Sequence, residues 1–144
     1  MTQILKNIIL LFATLYLLIG CFGLFDSGSD KIIGRYIVLW IDLPQNQMLS
    51  KQDELHSSGS SEIIPAYIFA VGHDNNYIIA KQHPTNGEEG GYKIHPDTTN
   101  FYIIDITNNI DKTFGPLTLF QFDSLRIKLG IQNLKFDKTY PDNP

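Results

Sequence analysis

The 144-residue sequence has a single cysteine, Cys21. No intramolecular disulfide can form, and no cysteine-rich zinc site can be assembled. A basic cluster is also lacking. Eleven Lys and Arg are scattered among fifteen Asp and Glu, for a formal net charge of −4. That excludes nucleic acid as a partner, because phosphates demand a concentrated positive surface. Apolar residues are plentiful: 43% of the chain is hydrophobic and 12% aromatic, enough to bury a core and to exclude disorder. The length suits one domain.

The apolar residues are concentrated at the start. Met1 and Lys6 supply a short positive region, and no acidic residue occurs before Asp26. The apolar run from Ile8 to Ile19 matches the hydrophobic stretch of a secretory signal. As a helix it spans about 18 Å, well short of the ~30 Å hydrocarbon core of a bilayer. Extension to Phe25 would give a thin membrane anchor interrupted by Gly20 and Gly23. The sequence Leu18-Ile19-Gly20-Cys21 resembles a bacterial lipobox, in which branched and small residues precede a cysteine. The resemblance implies that Cys21 receives a diacylglycerol on its thiol, that the chain is cut between Gly20 and Cys21, and that the new amine is acylated, commonly with palmitate. Two or three acyl chains anchor durably where one holds only marginally. Position 22 is Phe and not Asp, so the inner-membrane retention signal is missing. This favours the outer membrane in a Gram-negative envelope.

Residues 1–20 thus read as a lipoprotein signal peptide, 21–33 as a lipidated tether, 34–140 as one globular domain and 141–144 as a flexible tail. Without its signal the chain carries a charge of −5, since Lys6 is lost. Strands are predicted at Arg35–Asp42, Ile63–Val71, Tyr77–Gln82 and Phe101–Ile106, with a short one at Leu134–Phe136. The turn formers Gly72-His-Asp-Asn-Asn76 make the second and third of these a hairpin. Ser50–Ser61 and Pro84–Pro96 read as loops, the latter carrying a solvated tip at Gly87–Gly91. Alternation along Tyr36–Trp40 leaves both faces apolar, which predicts a central strand covered by a helix on one side. That helix spans about Leu117–Leu129, with a Thr118/Gln121 capping box, an apolar face of Leu119, Phe122, Leu125 and Leu129, and Gly130 closing it. The fold class is α+β: an antiparallel sheet of four to five strands with one C-terminal amphipathic helix packed on a face.

Sites for chemistry are sparse. His73, His83 and His95 sit at strand ends or in loops, at spacings that match no metal-binding helix motif, and read as exposed polar residues. The serines of Ser57–Ser61 lack a nucleophile elbow. The carboxylate pairs Asp53-Glu54 and Glu88-Glu89 are free to splay apart. Gly87-Glu-Glu-Gly-Gly91 is no phosphate cradle, because its acids repel anions. No catalytic, cofactor or metal residue is assigned. The aromatic residues, among them Tyr36, Trp40, Tyr67 and Tyr102, read as sheet core.

Tyr77-Ile-Ile-Ala-Lys-Gln-His-Pro84, Phe101-Tyr-Ile-Ile-Asp105 and Gly115-Pro-Leu117 ahead of a helix are similar to the pattern of small uncharacterised bacterial lipoproteins. That resemblance implies fold and location and no activity. It singles out Lys81 and His83 for testing. The expected function is a lipid-anchored, non-enzymatic envelope protein. It meets the membrane through Cys21 and binds an envelope protein or a ligand, through an apolar patch expected on the sheet face opposite the helix. Two alternatives stand beside it: an immunity or inhibitor lipoprotein against a toxin or hydrolase, and an envelope hydrolase with a His/Asp loop site. Convergence of His73, His83 and His95 is what the hydrolase reading requires.

Overall fold

The structure is a computed structural model, and the described residues are 27–41, 46–54, 59–88, 91–107 and 111–140. Their β-branched and aromatic runs form two antiparallel sheets. The first is a meander of β1 (Gly28–Ile33), β2 (Tyr36–Trp40), β3 (Met48–Gln52) and β4 (Ser60–Ile64). The second contains β5 (Ile68–His73), β6 (Tyr77–Gln82), β9 (Asn100–Asp105), β10 (Lys112–Leu117) and β11 (Lys138–Thr139), in the order β10-β9-β6-β5-β11. Between β6 and β9, β7 (Thr85–Glu88) and β8 (Gly91–Ile94) pair as a separate hairpin. A helix, α1 (Leu119–Leu129), follows β10.

Strand alternation builds three layers. Tyr36, Val38, Leu49 and Ile64 of the first sheet meet Ile68, Val71, Ile78, Ala80, Tyr102 and Ile104 of the second in one core. The intervening residues Ile79, Phe101 and Ile103 point the other way, onto Phe122 of α1 and Ile131. Because side chains alternate across a strand, β6 and β9 are apolar on both faces and form the central layer. Phe122 is the helix residue that is fully buried, with its ring 5.0 Å from Phe101 and 6.0 Å from Phe136.

The broad α+β class stands, but the expected single sheet is two. The expected strand Ile63–Val71 is broken at Pro65, so that Ile63 and Ile64 belong to one sheet and Ile68–Val71 to the other. The helix accordingly covers the second sheet and not the Tyr36–Trp40 strand. Residues 28–33, expected in the tether, form β1, paired from Gly28↔Trp40 to Ile33↔Tyr36. Ser50–Ser61, expected as a loop, supplies most of β3 and the start of β4. The short final strand lies at Lys138–Thr139, because Leu134 and Phe136 pack against the helix layer instead. Gly72 permits that arrangement: a Cβ there would lie 1.9 Å from the Lys135 carbonyl oxygen.

Two polar ties align the sheets. At the end carrying the β1–β2 and β5–β6 turns, here the top, Asp111 ahead of β10 accepts from the Tyr36 hydroxyl and lies 2.6 Å from Lys51 Nζ. Along the edge, Lys138 Nζ donates to both oxygens of Asp30 at 2.9 Å, and the Tyr140 hydroxyl donates to the same carboxylate at 2.8 Å. The opposite end, the base, is where the chain enters β1, where β2 and β6 finish, and where β10 gives way to the helix.

Candidate functional site

The chain crosses between sheets at the base, through Pro65, Ala66 and Tyr67. Gln82, buried at the end of β6, secures this crossing. Its Nε2 donates to the carbonyls of Pro65 (2.9 Å) and Ala66 (3.1 Å). Its Oε1 accepts from the Tyr102 hydroxyl (2.9 Å) and from Asn100 Nδ2 (3.2 Å). Burial raises the Tyr102 pKa, which keeps that hydroxyl a donor. From the other side the Ile68 amide donates to the Gln47 carbonyl at 2.8 Å, and the His83 amide donates to the Tyr67 carbonyl at 3.0 Å. Backbone groups that no sheet ladder can satisfy are thereby paired, which fixes an irregular segment in place.

Beside the crossing lies a cleft of about 280 Å³, lined by Met48, Glu62, Pro65, Ala66, Tyr67 and Thr85 together with Asn46. That volume falls just below the ~300–1,000 Å³ range of small-molecule pockets. It suits an amino-acid side chain or a small polar molecule. Its walls offer an aromatic ring, a thioether and one carboxylate, which can bind and orient a group that is apolar at one end and polar or cationic at the other.

The residues singled out from sequence are dispersed. Gly20 and Cys21 lie outside the described residues. His73 closes β5 at the top, paired with Ile78, while His83 follows β6 at the base. The His95 amide donates to the Pro84 carbonyl at 3.0 Å, so His95 joins His83 at the base and not His73. The three histidines do not converge. His83 is also buried, where an exposed residue was expected: its ring stacks on Phe69 at 4.3 Å and Nδ1 lies 2.9 Å from the Thr98 carbonyl. Lys81 places Nζ 4.6 Å from the centroid of Phe136 and 5.8 Å from that of Phe101, a cation–π contact within the helix layer. Among the described residues no three His, Cys, Asp or Glu gather closely enough to hold a metal, and no helix is long and apolar enough to cross a membrane.

The family model that matches residues 33–140 is described as a protein of unknown function, DUF3997. The chain belongs to the DUF3997 family. No curated protein and no solved structure matches it. The DUF3997 match runs from the last residue of β1 through Tyr140, so it includes the crossing, Gln82, the cleft and the helix. Sequence reasoning passed over Gln82 and Glu62. The usable signal lay in Pro65 between two apolar pairs, which marks a break between strands, and in a Gln at an inward β6 position.

The large exposed apolar side chains also lie elsewhere than expected. Among the described residues they are Ile41, Leu119, Phe120 and Ile127, and three of these four are on the helix. Leu119, expected on the core face, points outward.

Proposed function

We propose that this DUF3997 protein is a lipid-anchored component of the bacterial cell envelope whose domain binds a protein or small ligand without transforming it. The observation that carries the anchor is the sequence Leu18-Ile19-Gly20-Cys21 behind the apolar run Ile8–Ile19, with Cys21 seven positions ahead of the first strand residue, Gly28. Phe22 in place of Asp favours the outer over the inner membrane in a two-membrane envelope. Binding is favoured over catalysis because His83 is engaged in packing, and because the clamped crossing shapes a small mixed-polarity cleft beside it.

Metabolic labelling with palmitate tests the anchor. The wild-type protein incorporates label and fractionates with membranes, whereas Cys21→Ser does neither; continued labelling of the variant would refute lipidation. A photo-crosslinking amino acid at Tyr67 tests the binding role in native envelope. A discrete adduct is expected there and not with the same group at Asn75, which lies in the exposed top turn. Indistinguishable patterns from both positions would count against the cleft.

A further inference from the structure

Among the described residues, three of the four large exposed apolar side chains gather at one end of the fold. Ile41 follows the last residue of β2, which pairs with Gly28 at the point where the chain enters. Leu119 and Phe120 open the helix one residue beyond Leu117, across the cap Thr118, and the partner of Leu117, Phe101, lies opposite Lys81 near the end of β6. All of these positions belong to the base. Ile41 is 47% exposed, Leu119 56% and Phe120 81%. Packed layers lie about 10 Å apart, so Ile41 in the first sheet and the helix on the far side of the second are separated by roughly 20 Å. Apolar groups spread that widely across an end fit a flat apolar surface better than the groove-and-ridge contact of a single peptide.

Charge is segregated in the opposite sense. The Arg35–Glu54 ion pair (3.0 Å), Asp53, Asp74, Asp105 and Lys112 occupy the top. Among the described residues, the base connections 41, 46–47, 65–67, 83–84 and 118 hold no Asp, Glu, Lys or Arg, and Asp97 is the acidic residue in the connection from β8 to β9. Residues 1–26 precede the described chain and join it at this same end. Cys21 stands seven residues from Gly28, a reach of at most about 25 Å for an extended chain.

We infer that the base seats directly on the lipid bilayer, with Leu119, Phe120 and Ile41 inserted among the acyl chains beside the anchor. This rests on the lipid anchor proposed above and adds to it a fixed orientation. The top faces the aqueous phase, and the cleft lies at the lipid–water boundary, open to ligands arriving along the membrane. Insertion is apolar and not electrostatic, because the described residues of the base present no cationic cluster to anionic headgroups.

The test uses the full lipidated protein reconstituted into phosphatidylcholine vesicles that contain nitroxide-labelled lipid. With Cys21 carrying its lipid, a thiol introduced by Phe120→Cys, or by Asn75→Cys as the top control, is the sole site for an environment-sensitive fluorophore. Quenching several-fold stronger at position 120 than at 75 is expected, little changed by added phosphatidylglycerol. Combining Ile41→Ser with Leu119→Ser, both at exposed positions that spare the core, should reduce that quenching. Equal quenching at 120 and 75 in protein that still floats with vesicles would overturn the seating and leave the anchor standing. Failure to float would overturn both. A dimer in detergent that shields position 120, and that Ile127→Ser dissolves, would assign the helix face to a second copy and also overturn the proposal.

Discussion

Single side chains decide where this fold is firm. Gln82 makes four hydrogen bonds, and each satisfies a group near the base that lacks a ladder partner. Gln82→Leu keeps the volume but leaves the Pro65 and Ala66 carbonyls and the Tyr102 hydroxyl without their partner. Unmet buried polar groups cost about 1–3 kcal/mol each, and partial exposure of the crossing lets water offset some of that. A loss of roughly 2–4 kcal/mol is expected in urea unfolding. Tyr102→Phe removes one donor and should cost about 1 kcal/mol. A Gln82→Leu variant within about 0.5 kcal/mol of wild type would mean that the crossing is held by backbone bonds alone. Lys81 and His83, the neighbours that the sequence singled out, are accounted for at this scale: one lies over Phe136 and the other is stacked on Phe69.

Elements differ in how plainly the sequence announces them. The helix is legible almost to the residue, because its ends are chemical. Thr118 and Gln121 form the reciprocal capping box, and Gly130 adopts the left-handed conformation that closes the last turn. The β5–β6 hairpin is equally plain: Asp74 accepts from the amides of Asn76 and Tyr77, both at 2.8 Å. Strands β1 and β4 are hidden for a physical reason. Each lies at an edge of the first sheet and exposes polar side chains, so Gly-Ser-Asp-Lys and Ser-Ser-Glu resemble linker until their pairing partners are known. The division into two sheets is illegible because pairing is non-local; Pro65 marks a break and says nothing of which strands lie beyond it. The cleft was missed for the same reason, being assembled from three separated segments. One element-level contact is open to direct test. Residues 131–136 return across β5 so closely that Gly72→Ala forces its Cβ against the backbone carbonyl of Lys135. Overpacking of that kind costs about 1–3 kcal/mol. The loss should fall on the C-terminal segment, read as faster amide exchange at Ile131, Leu134 and Tyr140. Uniform exchange across all strands would place the strain elsewhere.

At the scale of the whole molecule, the sheets are joined by an apolar core and by carboxylates that serve as cross-sheet ties, so global stability carries a signature in pH. The Lys138 hydrogen bond, aided by Tyr140, holds the Asp30 carboxyl below its ordinary value of 3.8 despite some burial. A group whose folded-state pKa is lowered contributes fully above the unfolded value and loses that contribution as the pH falls through the folded one. The Asp30 tie therefore operates at neutral pH and fails below 3.8. At the alkaline side the sign reverses. Burial first, then the bond to Asp30, pushes the Tyr140 hydroxyl above its ordinary 10.0, and Tyr36 is raised in the same way by burial and Asp111. Their contributions are complete below 10.0 and are lost as the pH climbs beyond it. Urea midpoints followed from about pH 7 down to pH 2 should fall for wild type and converge on those of Asp30→Asn, which starts lower and falls less. Asp105, held down by Thr107, is untouched by the substitution and preserves part of the acid slope in both proteins. Above about pH 10, Tyr140→Phe should lose stability more slowly than wild type. Parallel curves for wild type and Asp30→Asn across the acid range would show that the β1–β11 tie contributes nothing to the folded state, leaving the apolar core and the Asp111 tie to hold the sheets.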